Sequence, residues 1–311
     1  MFSFIVIGKN EGEKLNPCFK SCQNFAIHNQ IKYEIIYVDS QSTDNSLEVA
    51  NSFGVHKILS LLPLCNAAKA RNLGAQNASG DYFIFVDGDM VLYPQFGNKI
   101  IENGKLIYPF INGQWIDIFY DENGKYIEDN KLTVTKINND TYKIGTGGLM
   151  AISKELWFDV GGMDSILECF EDVDLAYRIY RGKNKKTLNI GAVFAEHHTV
   201  DYRNKKRFRN LVKGKYFFYR GILLRKHLFS KLFLFLLKEY HTLSILVASL
   251  FVVLLTQNIF YFALYLLAMI GKLFLMKKTN SNTVSKQQRF FYDIFIDLKV
   301  LYAFCFFYPK K

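Results

Sequence analysis

The chain has 311 residues, of which 50% are hydrophobic, 16% aromatic and 22% charged, a composition that excludes disordered and collagen-like proteins. Its length allows one large domain or two small ones. The net charge is +11, but ten of the 39 basic residues lie between Arg203 and Lys226, a stretch without acids, and the remainder is close to neutral. This basic stripe, residues 203–226, suits anionic lipid or nucleic acid.

The cysteines and the amino terminus indicate a compartment. The 5 cysteines are widely spaced and form no CxxC pair, which argues against a disulfide framework or a zinc site and favours reduced thiols. Residues 1–7 contain no basic residue and form only a short apolar run. They are predicted to form a first β-strand and not a signal peptide. The amino-terminal part is therefore expected in the cytosol.

Residues 1–200 alternate short apolar runs with helical stretches. Strands are predicted at Phe2–Ile7, Tyr33–Val38, Val55–Ile58 and Tyr82–Val86, and helices within 10–29 and at Ser46–Phe53 and Ala67–Asn77. This order predicts an α/β fold with a mostly parallel sheet and flanking helices. Ligands bind such sheets beyond the carboxyl ends of the strands. Polar residues follow three of the predicted strand ends, namely Asn10-Glu11, Asp39 and Asp87-Gly88-Asp89.

The next segment has a different pattern. Residues 106–143 are aromatic and alternating, with a turn signal at 121–124, and predict a β-hairpin insert. After Gly147-Gly148 we expect a short strand at Leu149–Ile152, a helix from Ser153, a loop at Gly161–Asp164 and a helix from Glu171.

Beyond residue 200 the sequence predicts three segments. Residues 201–240 have the spacing of a basic amphipathic helix, and residues 241–276 include 30 uncharged positions from Thr242 to Gly271. That run exceeds the ~20 residues that span a bilayer. Basic flanks and the Gln257-Asn258 interruption favour two crossings or a re-entrant hairpin over one span. The aromatic tail, 277–311, carries acids and is expected to lie on the membrane. Alternatively, the apolar segment only packs onto the first domain.

A pair of carboxylates is the sharpest chemical feature. Asp87 and Asp89 follow a buried strand and are separated by one glycine. Carboxylates suit Mg²⁺ or Mn²⁺, ions that also bind diphosphate oxygens. The alternative is a plain acidic turn, because Asp-Gly is itself a turn signal.

Two further groups lie near the same predicted edge. Asp39 ends a strand and can accept hydrogen bonds from a base or a ribose, whereas Asp44 is expected to cap the next helix. Lys69 and Arg71 lie on one helix and can pair with phosphate or with Asp87. The alternative for this helix is a solvated basic face.

The last two groups lie further along the chain. Glu171 and Asp172 open a helix, where a carboxylate can act as a general base, although the helix dipole alone also favours acids there. Asp174 and Arg178 have the spacing of an ion pair within that helix. His197-His198 can supply a third metal ligand or a phosphate donor, or can be purely structural.

The order and spacing of these groups resemble the family 2 glycosyltransferases, which have the Rossmann-like GT-A fold. The resemblance covers about residues 1–200. It is carried by Val6-Ile-Gly-Lys-Asn10-Glu11-Gly-Glu, Val38-Asp39-Ser-Gln-Ser42-Thr-Asp44, Ala70-Arg71-Asn72-Leu-Gly74, Phe85-Val-Asp87-Gly-Asp89, Gly161-Gly-Met-Asp164 and Glu171-Asp172-Val-Asp174. Among its subfamilies, the chain looks like bacterial enzymes that build exopolysaccharide or cell-wall glycans and carry a membrane-associated carboxyl terminus.

The resemblance implies a role for each matching residue. Asp172 would be the catalytic base, with Glu171 beside it. A divalent ion, Mn²⁺ or Mg²⁺, would be held by Asp87, Asp89 and His197, or by the neighbouring His198. The nucleotide sugar would be bound by Asn10, Glu11, Asp39, Asp44, Lys69, Arg71, Asp87, Gly147 and Gly148, with Asp39 on the nucleobase. Phe170 and Ser165 depart from the family pattern, so acceptor identity stays open.

The predicted reaction is inverting transfer of a sugar from a nucleotide diphosphate sugar to a hydroxyl of a glycan or a lipid-linked acceptor. Because the basic stripe adjoins the uncharged run, membrane lipids are favoured over nucleic acid as its partner. Action at the cytoplasmic face of the membrane is therefore expected. Two alternatives remain, a nucleotidyltransferase on a similar fold and a non-catalytic membrane scaffold.

Overall fold

The computed structural model describes residues 1–121, 124–130, 139–201, 205–275 and 286–309. The chain divides into two compact units, unit 1 from Met1 to Asp201 and unit 2 from Tyr202 to Lys311. Parts of the predicted hairpin insert and its turn, the start of the basic stripe at Arg203, the end of the hydrophobic segment and the start of the aromatic tail lie outside the described residues.

Unit 1 is built from alternating strands and helices. Its strands are β1 Phe2–Gly8, β2 Tyr33–Asp39, β3 Lys57–Ser60, β4 Tyr82–Asp87, β5 Met90–Leu92, β6 Ile101–Glu102, β7 Lys105–Leu106, β8 Phe110–Tyr120, β9 Tyr126–Asn130, β10 Thr141–Lys143, β11 Met150–Ser153 and β12 Thr187–Val200. Its helices are α1 Gly12–His28, α2 Ser46–Phe53, α3 Ala67–Gln76, α4 Gly97–Ile100, α5 Lys154–Asp159 and α6 Glu171–Lys183.

One mixed sheet organises these elements, in the order β10-β12-β8-β11-β4-β1-β2-β3. The four strands β3, β2, β1 and β4 are parallel, as the alternating pattern predicted. Strand β11 runs antiparallel to both β4 and β8, and β12 runs parallel to β8. The predicted α/β architecture is therefore confirmed, with a parallel half and a mixed half.

Helices cover both faces of the sheet. Phe4 and Val6 of β1 pack into one buried cluster with Phe19 and Phe25 of α1. Ile5 and Ile7 point to the opposite face and pack into a second cluster with residues of α3, α5 and α6. Successive side chains of a strand point to opposite faces, so a strand buried on both sides reads as a continuous apolar run.

Two local predictions differ from the structure. Strand β3 begins two residues later than expected, because Gly54 ends α2 in a left-handed conformation and pairing with β2 starts only at Lys57. The first arm of the predicted hairpin insert, β8, lies between β11 and β12 inside the main sheet. Its second arm, β9, does pair with it antiparallel, so the hairpin is real but is not an appendage.

Unit 2 is helical. Its helices are α7 Lys205–Lys213, α8 Tyr216–Lys226, α9 Lys231–Glu239, α10 His241–Thr256, α11 Ala263–Leu275 and α12 Lys286–Cys305. The predicted basic amphipathic segment, residues 201–240, does not form one helix, because α7 ends at Lys213 and α8 begins at Tyr216. The ammonium of Lys299 donates to the carbonyl oxygens of Val212, Lys213 and Gly214 at 2.6, 2.9 and 2.7 Å and thereby fixes the end of α7.

The apolar run folds as two helices that meet at the predicted interruption. Gln257 has a left-handed backbone after α10, and the Asn258 side chain accepts a hydrogen bond from the Phe260 amide. Within the described residues no single helix combines the length and apolarity needed to cross a bilayer. Only α9 and α10 together, bent by 96° at their junction, meet that test.

The tail helix α12 is more integrated than expected. Ile296, Val300 and Ala303 are buried within unit 2. Its acids also have internal partners, since Asp293 pairs with Lys272 and Arg289, and Asp297 accepts from the Tyr265 hydroxyl. These acids therefore do not mark a wholly exposed tail.

Candidate active site

Three neighbouring strands end level with one another and bring the polar loops together. In the sheet register Ile7 is level with Asp87, and Gly8 is level with Asp39. The loops after β1 and β2 are joined, because Asn10 Oδ1 accepts from the Thr43 amide at 2.7 Å and the Asn10 amide donates to Ser42 Oγ at 2.9 Å. The carboxyl edge of the parallel strands is therefore a fixed platform, the place where such sheets bind ligands.

A cleft of about 400 Å³ opens at this edge. Five predicted site residues line it, together with Ser40 and Asn66: Glu11, Arg71, Asp87, Asp89 and His197. The volume is within the range of small-molecule sites.

Arg71 connects the end of β4 with the start of α6. Its guanidinium donates to Asp87 Oδ1 at 2.8 Å and to Glu171 Oε1 at 3.1 Å, and the side chain is only 3% exposed. Burial lowers the pKa of Arg71, but Asp87 and Glu171 outweigh it and raise that pKa. The predicted pairing of Arg71 with Asp87 is confirmed, whereas its role in donor binding stays a prediction. The second partner, Glu171, lies 100 residues further along the chain and was not predicted.

Of the two acids at the start of α6, Glu171 is buried and Asp172 is partly buried. Burial raises the pKa of Glu171, while Arg71 lowers it, and the net shift is upward. Burial also raises the pKa of Asp172, although its carboxylate accepts a hydrogen bond from the Val173 amide at 2.8 Å. A carboxylate with a raised pKa is a stronger proton acceptor, which suits a general base.

Asp89 belongs to a chain of three side chains. Its Oδ2 lies 3.3 Å from His197 Nε2, and His197 Nδ1 lies 2.8 Å from Oδ1 of Asp117. Burial lowers the pKa of His197, but its bonds to Asp117 and Asp89 raise the value to about 10. Asp117 was missed in the sequence analysis. The signal that could have revealed it is that Asp117 is the one carboxylate within the otherwise apolar run Trp115–Phe119 of β8.

The predicted three-ligand metal site is not assembled. Among the described residues no group of three or more His, Cys, Asp or Glu side chains is arranged to hold an ion. Asp87 is occupied by Arg71, and both ring nitrogens of His197 are engaged by Asp89 and Asp117. Asp89 is therefore the carboxylate left for an ion. One carboxylate fits Mg²⁺ or Mn²⁺, because such ions often take one or two protein ligands and complete their shell with phosphate oxygens and water. Of the two histidines, His197 is the one in the cleft.

The glycine pair lies against this charged cluster. A Cβ on Gly148 would come within 2.6 Å of an Arg71 nitrogen and 3.1 Å of Asp87 Oδ2. A Cβ on Gly147 would come within 2.8 Å of the Trp115 ring. Both positions therefore require glycine for close packing next to the site.

Other predicted residues have structural partners. Asp44 accepts from the amides of Gly12 and Ser46, which joins the starts of α1 and α2 and agrees with its expected capping role. The Lys69 ammonium donates to the Leu64 carbonyl at 3.1 Å. Asp39 is 2% exposed and accepts from the Tyr37 hydroxyl and the Ser42 amide, so a contact with a nucleobase stays a prediction.

Comparison with known proteins identifies the family. Residues 3–155 match the family described as glycosyl transferase family 2. Unit 1 therefore contains a domain that matches this family. The match ends before α6, so the Glu171-Asp172 pair lies outside it.

Relatives and solved structures agree with this assignment. An uncharacterized glycosyltransferase of Haemophilus influenzae is 26% identical over 186 residues, which cover 58% of this chain and 62% of that protein. The uncharacterized glycosyltransferase YibD of Escherichia coli is 35% identical over 95 residues, 30% of this chain and 27% of its own length. The chain thus spans less than two thirds of the relatives it matches.

The fold comparison points to TarS of S. aureus. The crystal structure of its residues 1–349 with UDP-GlcNAc has a TM-score of 0.52 at 14% identity and covers 74% of this chain and 67% of that one. The structure of the same TarS fragment without that ligand gives a TM-score of 0.50 at 13% identity, over 74% and 66% of the two chains. This likeness confirms the GT-A-like fold of the family 2 chain.

Proposed function

We propose that this family 2 protein is an inverting glycosyltransferase that uses a nucleotide diphosphate sugar as donor. One observation carries the proposal: Arg71 ties Asp87, at the strand edge expected to bind the donor, to Glu171, the neighbour of the expected base. The guanidinium of Arg71 thereby links the donor edge to the start of the helix that carries the expected base. The UDP-GlcNAc complex of TarS supports a nucleotide sugar as the donor class.

In this mechanism Asp172 accepts the proton of an acceptor hydroxyl while that oxygen attacks the anomeric carbon. The bond from the anomeric carbon to the diphosphate oxygen breaks, and its electron pair leaves with the diphosphate. Burial of Asp172 raises its pKa and increases its basicity. A divalent ion bound at Asp89 would supply charge stabilisation for the leaving diphosphate. Attack on the face opposite the leaving group gives inversion.

Release of nucleoside diphosphate in the presence of candidate donors tests the proposal. Asp172→Asn is expected to lower turnover by ~10²–10⁴-fold, the usual contribution of a positioned base, with donor affinity nearly unchanged. Asp159→Asn, an exposed acid on α5 that pairs with Lys183, is the matched control. Full turnover in Asp172→Asn contradicts the base assignment, and pyrophosphate release from a nucleoside triphosphate favours the nucleotidyltransferase alternative.

We also propose that unit 2 attaches the protein to the cytoplasmic face of a membrane, where a glycan or lipid-linked acceptor is met. Phe260, Phe274 and Leu275 are more than four-fifths exposed, and many other large apolar side chains of α10 and α11 are exposed as well. Extended apolar surface marks interaction sites. The basic stripe in the same unit favours anionic lipid as the partner, at about 1 kcal/mol for each cation near the surface.

A further inference from the structure

A second cavity shares Asp89 with the cleft. It has a volume of about 500 Å³ and lies among the start of α1, strand β5 and the ends of β8 and β12. Glu13, Lys14, Pro17, Val91, Tyr120 and His198 are among its lining residues. Its volume matches that of small-molecule sites.

Strand geometry explains why the two spaces are distinct and adjacent. His197 and His198 follow each other on β12, and successive side chains of a strand point to opposite faces. His197 therefore lines the cleft and His198 lines the second cavity. Asp89 lines both. The two spaces are therefore adjacent at Asp89.

The wall of the second cavity combines apolar surface with fixed polar groups. Pro17, Val91 and the Tyr120 ring supply the apolar part. The Tyr120 hydroxyl is hydrogen-bonded to His198 Nδ1 at 2.8 Å, and His198 Nε2 lies 3.4 Å from Glu196, which also accepts from the Tyr93 hydroxyl at 2.6 Å. The polar groups are thus held in place before any ligand arrives, which reduces the entropy cost of binding.

The chemistry of this wall selects among ligand classes. A lipid chain would bury the carboxylates of Glu13, Asp89 and Asp121 against hydrocarbon, which is costly. An anionic ligand would meet the carboxylates of Glu13 and Asp121, whereas Asp89 is paired with His197. Among the described lining residues the lysine is Lys14, which is already 2.9 Å from Glu11. An uncharged sugar fits both features, because its hydroxyls donate to carboxylates and its C–H faces pack on an aromatic ring.

We infer that this cavity is a second saccharide-binding site, which holds uncharged sugar residues of the acceptor beyond the residue that reacts. The inference rests on the proposed function and deepens it, since it makes the acceptor a glycan chain that is read at more than one residue. It also predicts discrimination against uronate-containing chains, because their carboxylates would face the carboxylates of the wall.

Saccharide binding to the full chain tests the inference without requiring turnover. The probes are neutral cello-, malto- and chito-oligosaccharides and, as the acidic counterpart, oligogalacturonate, all monitored by ligand-observed NMR. Val91→Trp is designed to fill the cavity, and Tyr120→Leu removes the ring and the hydroxyl bonded to His198. Tyr142→Leu, on β10 and 57% exposed, is the matched control, because Tyr142 does not line the cavity.

The expected result is binding of at least one neutral oligosaccharide, weakened tenfold or more by Val91→Trp and by Tyr120→Leu and unchanged in Tyr142→Leu. The inference is overturned if no neutral probe binds. It is also overturned if Val91→Trp and Tyr120→Leu bind the probes as tightly as the wild type does, or if the wild type prefers the acidic probe. The melting shift that a nucleoside diphosphate produces is measured on the same samples. It reports on the donor cleft, so failure of the proposed function is seen separately.

Discussion

At the scale of single residues, the salt bridges of Arg71 are the central feature of the site. Arg71 is buried and contacts two carboxylates that approach from different parts of the chain. A buried ion pair contributes little when intact, but removal of one partner leaves the other charge buried without compensation. Arg71 therefore matters for stability as well as for the arrangement of the site.

We expect Arg71→Met to lower the free energy of unfolding of unit 1 by about 3–5 kcal/mol, the usual cost of breaking a buried pair. Both tryptophans, Trp115 and Trp157, lie in unit 1, so their fluorescence during urea unfolding reports on this unit alone. Adding Glu171→Gln should restore part of the loss, because one of the stranded charges is then removed. Lys69→Met on the same helix is the control, and an equal loss with and without Glu171→Gln would contradict the coupling.

Glu34 provides a pH-dependent test far from the cleft. Burial raises the pKa of Glu34, but bonds from the Ser3 hydroxyl and the amides of Ser79 and Gly80, with Lys57 nearby, outweigh burial and lower it below its usual 4.5. The carboxylate thus stabilises the fold above pH 4.5, and this contribution is lost as pH falls through the lowered value.

Glu34→Gln should therefore cost about 1–3 kcal/mol at pH 7, the range for hydrogen bonds to a charged group. The difference between wild type and variant should narrow as pH falls below 4.5, because the wild-type carboxylate is then protonated. Tryptophan-monitored urea unfolding at several pH values measures this difference. A difference that stays constant from pH 7 to pH 3 would refute the assigned role.

At the scale of elements, α3 packs closely on the sheet because position 74 is a glycine. A Cβ on Gly74 would overlap Ile5 Cγ2 and lie within 3.3 Å of Val38 Cγ2. Alanine favours helix over glycine by about 1 kcal/mol, whereas overpacking a core costs about 1–3 kcal/mol. The overlap involves branched side chains of a buried strand, so packing should outweigh propensity.

Gly74→Ala is accordingly expected to destabilise unit 1, with α3 and its Arg71 displaced from the sheet. Gly182→Ala is a matched control, because Gly182 also lies in a helix but a Cβ there meets no atom within 4 Å. That control should stabilise by up to about 1 kcal/mol. The melting temperatures of both variants, compared with that of the wild type, measure these effects. A higher melting temperature for Gly74→Ala would disprove the close-packing argument.

The end of α7 rests on one ammonium group. Because Lys299 donates to three successive carbonyls, Lys299→Met should leave the last turn of α7 without its partner and cost about 1.5–3 kcal/mol. Hydrogen exchange should accelerate in α7 and less elsewhere in unit 2. Lys238→Met, an exposed lysine on α9, is the control. Unchanged exchange in α7 would show that the cap is dispensable.

At the scale of the whole molecule, the exposed apolar side chains of unit 2 have a direct test. Phe260→Asp combined with Phe274→Asp should abolish flotation with anionic liposomes, because two charges then replace two of the most exposed apolar side chains. Leu62→Asp in unit 1 is matched to Phe260, since both are 82% exposed. Flotation that survives the double substitution would argue against attachment through this surface.

Sequence patterns captured what is local and periodic. The parallel strands and α2 follow from apolar runs and capping signals, and the pair of Asp174 with Arg178, at 2.7 Å, follows from helical spacing. The bridge from Arg71 to Glu171 spans 100 residues, and the bond from Asp117 to His197 spans 80, so neither has a local signature. The break at Gly214 similarly depends on Lys299, which is remote in sequence.

Because β1, β2 and β4 end level with one another, deletions within these strands should be poorly tolerated. Asp39 and Asp87 flank the end of β1 because each strand keeps its length and its register. Loss of one residue within β2 or β4 would move its terminal acid by about 3.3 Å and turn it to the other face of the sheet, and loss within β1 would shift the end of that strand relative to both acids. Codon deletions should therefore be lethal to activity within 2–8, 33–39 and 82–87, yet tolerated at the exposed turn Asn103-Gly104. Insertions and deletions that survive selection should then cluster in the loops between the strands.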